Sequence, residues 1–360
     1  MPSPKLLPLL AAVLAVVPLA SGSGEYTIVD HYDENNFFRE FDFFTGPDPT
    51  NGFVQYVGAE TADTKNLAGY AQGAVYLGVE HKSLAPQGRQ SVRVESRTSY
   101  TTGLFVADIA HMPSGLTNAE SCSLWPAFWT LGKGKWPTHG EINIIEGVNS
   151  QTNTSVVLHT GTSCKVSSAG ALPATTSFGN DCYGDVGCRQ DTQDTSTYGA
   201  DFNAAGGGVH VLEWTDEAIS TWFFPRGHSP NFELAGDGHG APNPATWGSP
   251  HARFVPTGGG CSFADSFQQH SIIINTALCG QWAGRVWPND ATCAAKARTC
   301  EEYVNQHPEA FENAYWLINS IKVYQKTGSE PGSEPGSGPG PTPPSTQHRR
   351  GGRKGVLFSA

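Results

Sequence analysis

The stretch Gly140-Glu141-Ile142-Asn143-Ile144-Ile145-Glu146-Gly147 decides how this chain is read. Three isoleucines favour a strand over a helix, because branching at Cβ restricts χ1 against a preceding helical turn. A helix would also set Glu141 and Glu146 about 140° apart around its axis, on different faces. In a regular strand Glu141 and Asn143 share a face, but the next position on that side is Ile145, and Glu146 points the other way. One extra residue taken up by a β-bulge removes the conflict, since two residues then oppose one on the neighbouring strand and the alternation resumes one step later. With such a bulge Glu141, Asn143 and Glu146 line one face. Five residues of straight strand span roughly 16 Å, too far for two carboxyl groups to act on one bond. Curvature, the bulge and two long side chains must therefore supply the convergence.

Around this stretch the pattern is that of an all-β protein. Ala74 to His81, Ser91 to Ser96, Gly103 to Ile109, Ser271 to Leu278 and Trp316 to Tyr324 are alternating or β-branched, with Gly, Pro and Asn clusters between them. Val209 to Phe224 reads as a hairpin, and helical character is confined to a turn or two around Cys293 to Tyr303. Many short antiparallel strands predict a β-sandwich or barrel.

The first 23 residues contain Lys5 followed by an apolar run ending in small residues, the form of a secretory signal and shorter than a membrane span. Residues 24–326 read as one domain, and 327–360 as a Pro/Gly/Ser-rich spacer with a basic, disordered tail. Eight cysteines with no C-x-x-C pair suit disulfides in an exported, soluble protein. Their connectivity stays open, although Cys182 and Cys188 can close a small loop. Asn153-Thr154-Ser155 is an N-glycosylation acceptor sequence. A formal net charge of −11 argues against nucleic acid, whose phosphates demand a basic surface. No metal-ligand spacing, phosphate loop or nucleophile elbow is present, so neither metal nor cofactor is expected.

Upstream of the two glutamates stands L-W-P-A-F-W-T-L-G-K-G-K-W-P-T-H-G, Leu124 to Gly140. Together with G-E-I-N-I-I-E-G-V-N it resembles the secreted endo-β-1,3(4)-glucanases, or laminarinases, of glycoside hydrolase family 16, above all the fungal members. Val157 to Thr160 (V-L-H-T), Glu213 to Thr215 (E-W-T), Trp222 to Gly227 (W-F-F-P-R-G) and Cys279 to Gly284 (C-G-Q-W-A-G) extend the likeness from about Asp42 to Tyr324. The resemblance implies a jelly-roll sandwich of two antiparallel sheets with a concave substrate cleft, and cleavage with retention of configuration. It makes Glu141 the nucleophile and Glu146 the general acid/base, in the bulged E-x-x-x-x-E form of the laminarinase branch. His159 should lie beside them, Trp129 and Trp136 should floor the cleft, and Trp282 should serve a neighbouring subsite. Arg97 is a candidate for hydrogen bonds to sugar hydroxyls or an ordinary surface residue, and Tyr56 is either a subsite platform or core. Trp125, Trp214, Trp222 and Trp316 are assigned to the core.

Asn143 departs from the family, which has Asp between the glutamates. The expected activity is hydrolysis of internal β-1,3 bonds, and of β-1,4 bonds adjoining them, by a monomer that meets β-glucan and no nucleic acid or membrane. A glucan transglycosylase of the same fold and a non-catalytic β-glucan-binding protein are the rivals.

Overall fold

The computed structural model describes residues 26–228, 230 and 241–327. The signal-like segment 1–23 and all but the first residue of 327–360 lie outside the described residues. Two large antiparallel sheets face each other. The first has the strand order Val166–Ser167, Ala252–Pro256, Ile219–Pro225, Gly208–Trp214, Gly103–His111, Tyr315–Lys326, Ala74–Gly78, Ala68–Ala71, with Tyr26–Tyr32 also paired to Tyr315–Lys326. The second runs Thr176–Phe178, Cys188–Asp191, Ser155–His159, Glu141–Glu146, Leu124–Gly132, His270–Leu278, Arg93–Tyr100, Phe41–Phe43. Non-consecutive neighbours in both orders are the mark of the jelly roll, and all five strand segments and the hairpin expected from the sequence are present.

Between the sheets lies one continuous core. Phe128, Ile142, Ile145, Ile272 and Ile274 reach in from the second sheet to meet Phe105, Leu212, Trp214 and Ile318 from the first. Burial of this kind is worth roughly 1.5–3 kcal/mol per large apolar side chain, and it requires one face of each strand to be apolar throughout. The other face of the second sheet is then free to carry chemistry.

The register of the central strands shows how the glutamates reach that face. Glu141 pairs with Leu131, Asn143 with Trp129, and then the pairing slips, so that Ile145 opposes Phe128 and Glu146 opposes Ala127. Leu131, Trp129 and Ala127 are two residues apart and share a face, so Glu141, Asn143 and Glu146 share it too. Ile144 is the additional residue, fully buried against the core. Gly140, immediately before the strand, has φ +79°, and a Cβ there would overlap the Phe267 ring and the Ser266 carbonyl.

After His270–Leu278 the chain makes a helical excursion, Gly280 to Phe311, with short helices Ala291–Ala294 and Cys300–Gln306 capped by Asp290 and Thr299. It has its own small core of Trp287, Tyr303, Val304 and Phe311. Two disulfides, Cys122–Cys293 and Cys279–Cys300, fasten it to the sheet. Cys164–Cys261 and Cys182–Cys188 complete a set that leaves no free thiol among the described residues. The Cys182–Cys188 loop anticipated from spacing is therefore present. No helix among the described residues is long and apolar enough to cross a membrane.

Because the 171-residue separation of Cys122 and Cys293 constrains a long loop in the unfolded chain, their replacement by alanine should cost about 2–5 kcal/mol. Thermal unfolding of the double variant should show the lowered midpoint.

Candidate active site

The free face of the second sheet carries a groove of about 1090 Å³ that runs across the strands. One end is walled by Phe178 and Val186, the other by Asp48, Thr50 and Arg93, and Glu141, Asn143 and Glu146 lie between them.

The two glutamates sit in opposite environments. Glu141 accepts one N–H on each carboxyl oxygen, from Asn143 Nδ2 to Oε1 at 2.8 Å and from Trp136 Nε1 to Oε2 at 2.7 Å. An ionised carboxylate accepts at both oxygens, which is the form that matches these partners. His159 Nε2 stands 3.9 Å from Oε1. Glu146 is only 7 % exposed and accepts a single N–H, from Trp125 Nε1 to Oε1 at 2.9 Å. Burial pushes its pKa up to about 8 and the negative charge of Glu141 adds to the rise, while the Trp125 hydrogen bond and the charge of Arg189 offset part of it. Burial thus favours the protonated form of Glu146. Behind Glu146 its backbone N–H donates to Thr154 Oγ1 at 3.1 Å. Tyr198 is fully buried there, its phenol driven well above the ordinary range by burial and by Glu146.

Aromatic rings line the groove on both sides of the pair. Trp136 is 43 % exposed beside Glu141, its ring centroid 5.6 Å from that of His159. Trp129 is fixed by a 2.7 Å hydrogen bond from its Nε1 to Asn275 Oδ1, and the Arg93 guanidinium lies 5.0 Å above its ring. Trp282 packs edge-on against Trp125, with centroids 5.7 Å apart.

The structure overturns one assignment made from sequence and decides between the two readings left open for Arg97 and Tyr56. Trp125 is not core: Trp125, Ala127 and Trp129 are two apart on one strand, so the alternation that exposes Trp129 exposes Trp125 as well. Arg97 is not on the groove lining; it is exposed and gives two hydrogen bonds, 3.0 and 2.8 Å, to Asp42 Oδ1. Arg93, four residues earlier on the same strand and held by Glu95 at 2.7 Å, lines the groove instead, as do Arg189 and Arg285. Tyr56 is no platform either. It is 6 % exposed and accepts a hydrogen bond from Asn275 Nδ2 at 3.0 Å, so that it props Trp129 through Asn275.

Trp214 and Trp316 are buried between the sheets. Trp222 is buried as well, in a separate cluster on the first sheet with Trp247 beside it. Asn153 Nδ2, the atom a glycan would occupy, donates to the Thr192 carbonyl at 2.6 Å. Among the described residues no three His, Cys, Asp or Glu side chains gather as metal ligands would.

A two-sheet jelly roll whose free face bears a carboxyl pair in an aromatic groove defines a class of carbohydrate-active proteins. Residues 41–324 match the XgeA-like, catalytic GH16 domain, and the chain belongs to glycoside hydrolase family 16. It is 45 % identical over 318 residues to an endo-1,3(4)-beta-glucanase of Arthroderma benhamiae, covering 86 % of this chain and 67 % of that protein. To the endo-1,3(4)-beta-glucanase xgeA of Emericella nidulans it is 37 % identical, covering 89 % of this chain and 51 % of that one. The chain thus spans about half to two thirds of the length of such relatives. Laminarinase 16A of Phanerochaete chrysosporium, solved with 6-O-glucosyl-laminaritriose in donor and acceptor sites, superposes with a TM-score of 0.74 at 38 % identity, over 83 % of this chain and 99 % of that one. An elongating family 16 β-1,3-glucosyltransferase gives 0.74 at 39 %, over 83 % and 100 %.

The Trp125 indole lowers the Glu146 pKa, so Trp125→Phe should move the Glu146 titration upward, measurable by carbon-detected NMR of labelled glutamate. Asn143→Asp would place a carboxyl where a neutral amide now donates to Glu141, and should displace the acid side of the kcat/KM profile. An unchanged profile would remove Asn143 from the account.

Proposed function

We propose that this chain is an exported endo-β-glucanase that hydrolyses internal β-1,3 bonds, and β-1,4 bonds adjoining them, in laminarin-like or mixed-linkage glucans with retention of configuration. The observation that carries the reading is the division of labour within one groove. Glu141 has the hydrogen bonds of a carboxylate, and Glu146 has the burial that keeps a proton at neutral pH.

In the first step Glu141 attacks the anomeric carbon while Glu146 gives its proton to the leaving oxygen. The glycosyl ester formed on Glu141 is neutral. With that neighbouring charge gone, one cause of the raised Glu146 pKa disappears, and Glu146 becomes easier to ionise when it must act as a base. It then takes a proton from water, whose oxygen attacks the same carbon and releases Glu141. Trp129, Trp136 and Trp282 offer ring faces for sugars, whose apolar faces stack on aromatic side chains. The relatives named as endo-1,3(4)-beta-glucanases support this substrate class. Four disulfides support export.

The likeness to an elongating β-1,3-glucosyltransferase favours a second reading, in which a sugar hydroxyl takes the place of water in the second step. Products longer than the starting laminarin oligosaccharides would establish it.

Reducing ends should appear from laminarin and lichenan and not from a β-1,4-glucan, and Glu141→Gln or Glu146→Gln should lower kcat at least about a thousandfold. Because the acid must be protonated, the alkaline side of the kcat/KM profile should fall as pH rises through the Glu146 value of about 8. Activity that survives Glu141→Gln would refute the mechanism.

A further inference from the structure

One wall of the groove is a seven-residue ring closed by the Cys182–Cys188 disulfide. It is tied to the end of the strand that carries His159. Thr160 N–H donates to the Cys182 carbonyl at 2.8 Å, Gly184 N–H donates back to the Thr160 carbonyl at 3.0 Å, and Asp181 Oδ1 accepts from the Tyr183 N–H at 3.2 Å. Within this frame the Gly184 carbonyl stands 2.8 Å from His159 Nδ1. A carbonyl only accepts, so Nδ1 carries a proton, and in the neutral imidazole that is the only ring N–H. Nε2 is thereby left on the groove side, 3.9 Å from Glu141 Oε1, too far for a direct hydrogen bond and spaced to share a group placed between them.

The ring backbone at Gly187 also packs closely against the imidazole. Gly187 has φ +62°, which disfavours any other residue, and a Cβ there would lie 2.8 Å from His159 Nδ1 and Cε1 and 2.6 Å from the Leu158 carbonyl. The Trp136 ring, itself hydrogen-bonded to Glu141, also lies against the imidazole, centroid to centroid 5.6 Å. The imidazole thus contacts both the ring backbone and an indole that is hydrogen-bonded to Glu141.

We propose that the Cys182–Cys188 ring is a positioning device for His159: through the Gly184 carbonyl it keeps the proton on Nδ1 and presents the Nε2 lone pair to a hydroxyl of the sugar that Glu141 attacks. This rests on the glucanase reading for the identity of the ligand, but the tautomer is a property of the protein alone. His159 is then a recognition residue for the reacting sugar, and the ring acts through it.

Nitrogen-15 NMR of histidine-labelled protein, with the His159 signals assigned by their loss in His159→Asn, tests the device without any assay. The expected result is an Nδ1–H, unprotonated Nε2 imidazole in the intact protein, and tautomer averaging in Cys182→Ser/Cys188→Ser. An Nε2–H tautomer or a doubly protonated imidazolium in the intact protein, or unchanged signals in the double variant, overturns the proposal whether or not the protein cleaves glucan. In kinetics, His159→Asn keeps a donor for Gly184 but does not reach the sugar, and Gly187→Ala displaces the imidazole. Each should lower kcat/KM about a hundredfold. His159→Gln, whose amide oxygen reaches the Nε2 position, should recover part of the loss, and equal losses in His159→Asn and His159→Gln would also count against the assignment.

Discussion

The site depends on a single irregularity, the extra residue at Ile144. In a regular ladder the strand could present Glu141 and Asn143 to the groove only by turning Glu146 into the apolar core. The slip in pairing between Asn143 and Ile145 lets three isoleucines stay inside while both carboxyl groups stay outside. A buried charge without a partner is expensive, so the bulge is what makes the sequence E-I-N-I-I-E compatible with a sandwich.

The same constraint sets the electrostatics. Glu141 opposes Leu131 toward the Trp136 side and meets two N–H donors, whereas Glu146 opposes Ala127, deeper in the sheet, and meets one indole. Two acidic side chains of one type are separated in behaviour by how many donors they find and how much water they lose. The difference in surroundings follows from the backbone register.

Support for the pair comes from residues far away in the chain. Asn275 steadies Trp129 and is itself steadied by Tyr56, and Trp282 reaches Trp125 from an excursion pinned by Cys122–Cys293 and Cys279–Cys300. The disulfides here do more than restrict the unfolded chain. One pair of them anchors the segment that brings Gln281 and Trp282 to the groove, and the Cys182–Cys188 ring brings a carbonyl to His159.

The all-β class, the hairpin at Val209 to Phe224, the bulge, and the common face of Glu141, Asn143 and Glu146 were all legible in the chain, because strand alternation is local and a two-residue period can be counted. Trp125 was legible by the same count, two residues before Ala127 and four before Trp129, but its indole character favoured a core assignment. Arg93 in place of Arg97, Tyr56 as a prop, and the Gly184 carbonyl on His159 were not. Each depends on which strand lies beside which, and on the side-chain partners that pairing supplies from dozens to hundreds of residues away. The local pattern tells which face a residue takes; only the assembled sheets decide what waits for it there.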